Sequence, residues 1–518
     1  MEKSSPSTPA TSDPPSKAAS LRSPAHGEPL KKDRAPAFVV VLCLFQSCAG
    51  WESGVISGMI NQVDYLRRFG EPDPTVAAGY SIPTTRQALI TSFLGLGALF
   101  GSLIAGKVSA KVGTKVATLI SLVIFLIGVA IELSCHYQWG QILAGRWIAG
   151  FGIGSMSMLA PAFQAECSPR HLRGTITSTF QLACTLGIFL SNVVNYCSKH
   201  YTGAIQWRIP LCISMIFGAI FGLGTILSPE SPRFYLKRGN EEMALKSLSR
   251  LRDLPVGDEE LQAELEAMAE EVRVEQSAAN ATYWDCFKSA DRMRLRTTIG
   301  IMVQAGQQWT GVNFFFSYGV KFFQSAGITD SFKIQVILSA VNVASTFPGL
   351  WAVENLGRRN TLFIGSIIMF IGQVVAGALG TAYPDGEVAG KILIAFSCIF
   401  IFGFAASWGP LGWVVASEQF PLRMAPYCVA FATGANWFNN WLLAMITPYI
   451  TDAGYGNLQA KITKGLSLGQ VEELYLTNLP AWRTGSWSPY GDNNPHADDV
   501  SHKLSVEKHE DAGMRELA

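Results

Sequence analysis

Three features of the chain predict an all-α fold embedded in a membrane and built from two related halves. Only 15% of its 518 residues are charged while 49% are hydrophobic, against roughly 25% charged in an ordinary soluble domain. From Phe38 onward apolar stretches recur, each of about 20 residues and so long enough to cross a hydrocarbon layer of roughly 30 Å as a helix. Charged and proline-bearing motifs occur twice along the chain, about 250 residues apart, as in carriers made of repeated bundles. A string of soluble domains is thereby excluded. The net charge of +1, from 40 basic and 39 acidic residues, gives no electrostatic reason for a nucleic-acid partner.

The elements follow in chain order. Residues 1–36 are rich in Ser, Pro, Lys and Asp and hold no apolar stretch, so they are expected to form a disordered tail and not a signal peptide. Spans are expected near 38–60, 88–106, 116–134, 142–163, 176–196 and 209–228 in a first bundle over 37–228. Five more are expected near 297–320, 334–352, 361–381, 391–416 and 427–450 in a second bundle over 297–455, which makes eleven. Residues 229–296 are polar, with Leu245, Leu248 and Leu251 at helical spacing and acidic clusters between Glu259 and Glu275, and read as water-soluble linker helices. Residues 456–518 form a polar tail.

Lys and Arg in the short loops are balanced, with Lys107, Lys111 and Lys115 on one side and Arg67, Arg68, Arg86 and Arg208 on the other. Lys31, Lys32 and Arg34, with Arg233, Lys237, Arg238, Arg292, Arg294 and Arg296, place the amino terminus and the linker in the cytoplasm. On that topology the glycosylation pattern Asn280-Ala281-Thr282 is expected to stay unmodified.

The repeat places charges at corresponding helix ends. Ala110-Lys111-Val112-Gly113-Thr114-Lys115 after the second span matches Glu354-Asn355-Leu356-Gly357-Arg358-Arg359 after the eighth. Glu166, Pro169 and Arg173 after the fourth match Glu418 and Pro421 after the tenth, with Arg423 close by and Ala425 in the place of Arg173. Together with Glu230 and Arg233 these residues suit ion pairs that latch the halves on the cytoplasmic face and break as the halves rock. Ala110, Thr114 and Ala425 remove three partners. The alternative is a set of solvated loop charges, each exposed pair being worth about 0–1 kcal/mol.

Five strings stand together in this order: Gly50-Trp51-Glu52-Ser53-Gly54-Val55-Ile56-Ser57-Gly58, Gly145-Arg146, Pro161-Ala162-Phe163-Gln164-Ala165-Glu166-Cys167-Ser168-Pro169, Pro229-Glu230-Ser231-Pro232-Arg233 and Gln307-Gln308-Trp309-Thr310-Gly311-Val312-Asn313. From about residue 38 to 480 the chain resembles the sugar porter family of the major facilitator superfamily, and within it the fungal hexose transporters of the high-affinity glucose type. The resemblance implies the major facilitator fold, two pseudo-symmetric helical halves. It also implies a hexose carrier of the plasma membrane, working by alternating access.

A sugar offers neutral hydroxyls, so its site calls for amides that both donate and accept, plus an aromatic face. Gln181, Gln307, Gln308, Asn313, Asn342 and Asn436 lie within expected spans, where an unpaired amide is costly, and Phe404, Trp413 and Tyr318 supply aromatic surface. The resemblance assigns sugar contact to Gln181, Ile188, Gln307, Gln308, Asn313, Asn342, Phe404, Trp413 and Asn436. The alternative is that these amides bond helices to each other. Asn192, Asn195, Asn439 and Asn440, nearer span ends, read as packing or gating residues.

Glu52 is the carboxylate of the first span and Arg146 opens the fourth. An acid whose pairing with Arg changes during a transport cycle can load and release a proton, so Glu52 and Arg146 are candidates for proton coupling, with a purely structural pair as the alternative. In plant and bacterial sugar symporters the matching position carries Asp. Yeast hexose transporters also keep an acid there without running on protons.

Ten scattered cysteines lack the spacing that zinc or redox chemistry needs and read as packing residues. The segment from Gly101 to Val108 falls one residue short of a phosphate-binding loop, and Gly150, Gly152 and Gly154 read as close helix packing. No enzyme, metal or cofactor is expected; the expected partners are a monosaccharide, a proton and the lipid bilayer.

In sugar porters a threonine-lysine-glycine string follows the twelfth helix. Here Thr463-Lys464-Gly465 follows the eleventh span without an intervening apolar run. The twelfth helix is therefore expected to be missing, through loss of about 20–25 residues near 456–463 or through genuine truncation. A sugar sensor and an inactive carrier stay open as rival functions.

Overall fold

The computed structural model describes residues 37–74, 79–167, 173–277, 283–288, 292–325, 328, 330–382, 387–420 and 424–451. The expected tails, the junction near 456–463, Arg423 and Asn280–Thr282 lie outside the described residues.

The apolar runs of the first half become α1 (Ala37–Met59), α3 (Thr84–Val112), α4 (Thr114–Leu133), α5 (Trp139–Cys167), α6 (Arg173–Ser198) and α7 (Ile205–Leu227). Between α1 and α3 lie a short helix, α2 (Val63–Phe69), and a small antiparallel hairpin, β1 (Glu71–Pro72) with β2 (Tyr80–Ser81). Tyr65 and Phe69 of α2 pack edge-on against Trp207 of α7, at 5.9 and 5.8 Å between ring centres, and close this end of the bundle.

Only Gly113 separates α3 from α4, at φ +95°, where a side chain would be strained. Its repeat partner Gly357 turns the chain at φ +80° in the second half, so the two copies share a turn as well as a motif. The expected close packing at Gly154 is present. A Cβ there would stand 1.9 Å from the carbonyl oxygen of Ala98, so α5 approaches α3 backbone to backbone.

The linker forms α8 (Pro232–Lys237), α9 (Glu241–Arg252) and α10 (Glu259–Ser277), followed by a 3-10 turn at Tyr283–Phe287. Asn240 caps α9 by accepting from the backbone N–H of Met243. Leu236, Leu248, Leu261 and Met268 give these helices a small core of their own. Leu251 instead reaches Phe163 and Cys167 at the end of α5, which docks the linker on the first half.

The second half contains α11 (Met293–Trp309), α12 (Val312–Ser325), α13 (Ser331–Asn355), α14 (Arg358–Ala382), α15 (Glu387–Ala405), α16 (Trp408–Glu418) and α17 (Ala425–Thr451). Two expected spans are broken here. The stretch 297–320 splits at Thr310–Gly311, where Gly311 takes φ +85°. The stretch 391–416 splits at Ala406–Ser407, because Pro410 has no N–H to return to Ala406 and its ring would meet that carbonyl. The chain tightens instead: Ser407 N–H bonds Phe404 O at 3.1 Å and Ser407 Oγ donates to Gly403 O at 2.6 Å.

Among the described residues eight helical stretches are long and apolar enough to cross a membrane: α3 to α7, α13, α14 and Gly390–Ala416. Their outward faces agree with that. Ile216, Ile220, Leu223 and Leu227 on α7, and Phe363, Ile367, Phe370 and Val374 on α14, are exposed at helical spacing, an arrangement that suits hydrocarbon and not water.

Candidate functional site

Gln304, Gln307 and Gln308 recur at three- and four-residue spacing, so they share one face of α11. The break at Gly311 then brings Asn313, in the first turn of α12, back to Gln308, whose Oε1 accepts from Asn313 Nδ2. Asn436 of α17 is the hub of this amide cluster. Its Nδ2 donates to Gln304 Oε1 and Gln307 Oε1 at 2.6 and 2.8 Å, and its Oδ1 accepts from Gln308 Nε2 at 2.7 Å. Gln307 Nε2 donates to the carbonyls of Trp408 and Gly409 at 2.8 and 2.9 Å, which ties α11 to the start of α16. A buried network of this kind is rigid when each member is satisfied.

The cluster forms one wall of a cavity of about 90 Å³ between the halves, several times the roughly 10–15 Å³ that one water needs. All nine expected sugar-contact residues line it: Gln181 and Ile188 from α6, Gln307 and Gln308 from α11, Asn313 from α12, Asn342 from α13, Phe404 from α15, Trp413 from α16 and Asn436 from α17. Among the described residues the lining holds no charged side chain. Trp413 presents an aromatic surface braced by Phe180, with ring centres 4.5 Å apart. Asn342 is buried, and neither its Nδ2 nor its Oδ1 has a protein partner. The cavity can therefore offer donors, acceptors and an aromatic plane to a neutral polyhydroxylated molecule, with no opposite charge to select an ion.

Tyr318 does not line the cavity; its hydroxyl donates to Ala444 O at 2.5 Å. Asn440, expected to pack or gate, lines the cavity and reaches Gln308 Oε1 at 3.5 Å. Gln304, Ser53 and Phe180 were not singled out by sequence. Helical period would have found Gln304 and Asn440, three residues before Gln307 and four after Asn436. Ser53 and Phe180 had only adjacency to Glu52 and Gln181 to mark them.

Glu52 and Arg146 are both fully buried, yet the expected direct pair is replaced. The carboxylate within ion-pair distance of Arg146 is Glu132 of α4, with Nη1 and Oε2 3.9 Å apart. Glu52 Oε1 accepts from Ser214 Oγ at 2.5 Å, and Glu52 Oε2 has no partner.

The charges expected to latch the halves divide differently. Arg358 and Glu418 pair at 2.8 Å, but α14 and α16 belong to the same half, so the pair fastens the second half to itself. Glu230, at the start of the linker, accepts from the backbone N–H of Lys115 at 3.1 Å and of Ser231 at 3.0 Å, which ties the linker to the first half and not to the second. Burial pushes the Glu230 carboxyl above the ordinary carboxylate range, against the pull of these backbone bonds. Arg233 pairs with Glu271 of the linker. Glu166 ends α5 partly buried and Arg359 is exposed. The side chains of Arg173 and Glu354, like Arg423, lie outside the described residues.

Tyr283 of the linker does bridge the halves on this face, beside the apolar packing of Ala430 on Ala105 and Leu159. Its hydroxyl donates to Leu103 O of α3 at 2.6 Å, Lys107 stands 4.7 Å from its ring centre, and its ring meets Tyr427 of α17 edge-on at 4.9 Å. On the opposite face Lys199 pairs with Asp330 at 2.7 Å, Lys321 Nζ donates to Gln87 Oε1 at 2.6 Å and Val320 N–H donates to Ser57 Oγ at 3.2 Å. The cavity thus lies between two sets of contacts that join the halves. Among the described residues no group of His, Cys, Asp and Glu is placed to hold a metal.

A family model described as sugar (and other) transporter matches residues 37–465. The chain is 34% identical over 486 residues to a hexose transporter of Saccharomyces cerevisiae, HXT10, covering 88% of this chain and 89% of that one. It is 36% identical over 498 residues to a galactose transporter of the same yeast, covering 90% and 86%. Among solved structures, the proton:xylose symporter XylE bound to 6-bromo-6-deoxy-D-glucose superposes with a TM-score of 0.69 at 24% identity, over 82% of this chain and 90% of that one. The partially occluded inward-open form of XylE from E. coli gives 0.65 at 24%, over 80% and 90%. At that identity these structures bear on the fold, which is the major facilitator fold.

Proposed function

The chain belongs to the sugar (and other) transporter family, and from that premise we propose that it carries hexoses, glucose foremost, across the plasma membrane in symport with protons, its amino terminus in the cytoplasm. It is a multi-pass membrane sugar transporter and not an enzyme. The observation that carries the choice of substrate is the convergence of nine residues from seven helices on one uncharged, amide-lined cavity, with the Asn342 amide left unpartnered inside it. Relatives named as hexose, glucose and galactose transporters support the same choice.

In this reading sugar hydroxyls take up the free valences of Asn342 and re-partner those of Gln308 and Asn313, while the pyranose ring lies against Trp413. Rocking of the halves then exchanges the contacts on one face of the cavity for those on the other. Glu52 is the proton carrier, because it is a buried acid with one oxygen unpartnered, next in sequence to the cavity-lining Ser53. The proton adds to a carboxylate oxygen from water on one side and leaves to water on the other.

The test is labelled-glucose uptake in a fungal host stripped of its hexose transporters, with surface expression measured and with and without a protonophore. Uptake that collapses with the protonophore supports symport. Uptake that persists replaces symport by facilitated diffusion and leaves the sugar site standing. Absent uptake at normal surface expression overturns the carrier reading in favour of a sensor or an inactive chain.

A further inference from the structure

Two carboxylates and one guanidinium occupy the dry interior of the first half, and the mechanism above uses only one of the acids. Glu132 lies at the end of α4, fully buried. Its path is made by Gly145, the residue before Arg146: a Cβ at Gly145 would stand 2.6 Å from Glu132 Cγ. The glycine lets the acid lie across α5, and Arg146 then meets it at 3.9 Å. At that separation the pair is electrostatic without being hydrogen-bonded. Both Glu132 oxygens, with Nε and Nη1 of Arg146, have no hydrogen-bond partner.

Groups from several elements face this pair. From α1 come Glu52 and Cys48, from α2 the fully buried Tyr65, and from the turn after α4 Cys135. From α7 come Ser214, on Glu52, and Arg208, whose Nη2 is turned away to Cys135 O at 3.0 Å; from α12 comes Tyr318. Arg146 is therefore the one cation shared by two acids. With both ionised the group carries an uncompensated negative charge in low dielectric. With a proton on Glu52 it is neutral, and Arg146 keeps a partner.

We propose that Glu132 is a positioning residue for proton coupling: it holds Arg146 paired while Glu52 carries the proton, and its charge sets the proton concentration at which Glu52 loads. The inference rests on the reading of Glu52 as proton carrier. Without Glu132 a protonated Glu52 would leave Arg146 alone in the interior, a state costly enough to keep Glu52 ionised. Loading would then need a higher proton concentration.

The experiment compares wild type, Glu132→Gln and Glu132→Asp by the pH profile of glucose uptake and by counterflow, the exchange of labelled for unlabelled glucose with no proton gradient. For Glu132→Gln the uptake midpoint should fall by about one pH unit or more, the scale of removing a nearby charge, while counterflow at equal surface expression is kept. Glu132→Asp, which keeps the charge, should keep the wild-type profile. A Glu132→Gln profile that superposes on wild type overturns the proposal, and so does an equal loss of uptake and counterflow, because that marks a merely structural pair. A flat, protonophore-insensitive wild-type profile is a different failure: it removes proton coupling itself, and this role of Glu132 with it. If Glu132→Gln does not reach the surface, the Glu132→Asp profile decides, a displaced midpoint overturning the proposal.

Discussion

The two halves of this transporter are built on one plan and bury different chemistry. In the first half the membrane helices bury Glu52, Glu132 and Arg146, whereas among the described residues the helices of the second half bury no Asp, Glu, Lys or Arg. Amides show the converse. Those of the first half staple helices: Gln62 Nε2 donates to Asn195 O at 3.2 Å, and Asn195 Nδ2 to Val55 O at 3.0 Å. Six of the seven amides around the cavity, Gln307, Gln308, Asn313, Asn342, Asn436 and Asn440, come from the second half, and Gln181 alone from the first. A charge that must come and go needs a rigid, dry seat, and a neutral ligand needs groups that can trade partners. The proposed proton chemistry and the proposed sugar chemistry are thus assigned to separate bodies, coupled through the motion between them.

The comparison breaks most severely at Arg146. Arg146→Leu removes the shared cation and leaves two buried acids uncompensated, and breaking a buried pair costs about 3–5 kcal/mol. We expect strongly reduced surface expression and thermal stability, measured by fluorescence-detected melting of the detergent-extracted protein. A variant as stable as wild type would mean that water reaches the cluster. Next comes Asn436→Ala, which unseats three amides at once. At about 1 kcal/mol for each hydrogen bond, uptake should fall by about two orders of magnitude while the pH midpoint of the residual uptake stays put. A moved midpoint would show that the halves are not separable.

Asn342→Ala sharpens the division with a smaller effect. Its amide has no protein partner to lose, so the melting temperature should hold. The KM for glucose should rise about threefold to tenfold, the value of one or two neutral hydrogen bonds, and the pH profile should not move. A drop in stability without a change in KM would make Asn342 a packing residue and remove it from the sugar site.

Much of this was legible in sequence, and the exceptions have physical causes. The motif around Gly113 and Gly357 was visible because it recurs, but the tightness of its turns was not: the apolar runs stop several residues short of both glycines, and only the fold shows each of them at a positive φ. The amides of the cavity stood out because such groups are costly inside apolar runs. Glu132 did not, since a carboxylate at the end of an apolar stretch reads as the boundary of the span; only its packing on Gly145 of the next helix, α5, reveals that its side chain turns inward. The breaks in 297–320 and 391–416 were hidden because hydropathy continues across them, while backbone geometry at Gly311 and Pro410 does not. The contact between the halves on the linker face escaped the charge pattern for a simpler reason. Tyr283 makes it with a hydroxyl, a carbonyl and ring edges, none of which leaves a signature of alternating sign.

The smallest expected effect tests the seam between the bodies. Lys199, in the turn after α6, and Asp330, which caps α13, join the halves at 2.7 Å on the face away from the linker, and Asp330 is 40% exposed. Partial burial raises the Asp330 carboxyl, but the hydrogen bond and charge of Lys199, with help from Lys333, outweigh it and hold the carboxyl below its ordinary range. A depressed acid contributes stability that is fully present above its unfolded value, near 4, and is lost as the pH falls through the lower folded value. Wild type and Asp330→Asn should therefore differ by a constant amount from pH 8 to pH 5, and converge only below about pH 4. The difference should be small, at most about 1 kcal/mol for a solvent-screened pair. Lys199 also keeps its place over the Tyr196 ring, 4.3 Å from the centre, when the carboxylate is gone. Melting of the two proteins across this range measures it. A difference that varies between pH 5 and 8, or that survives high salt unchanged, would mean that this contact is not an exposed ion pair but a sealed part of the gate, and that the two halves share more of their electrostatics than their interiors suggest.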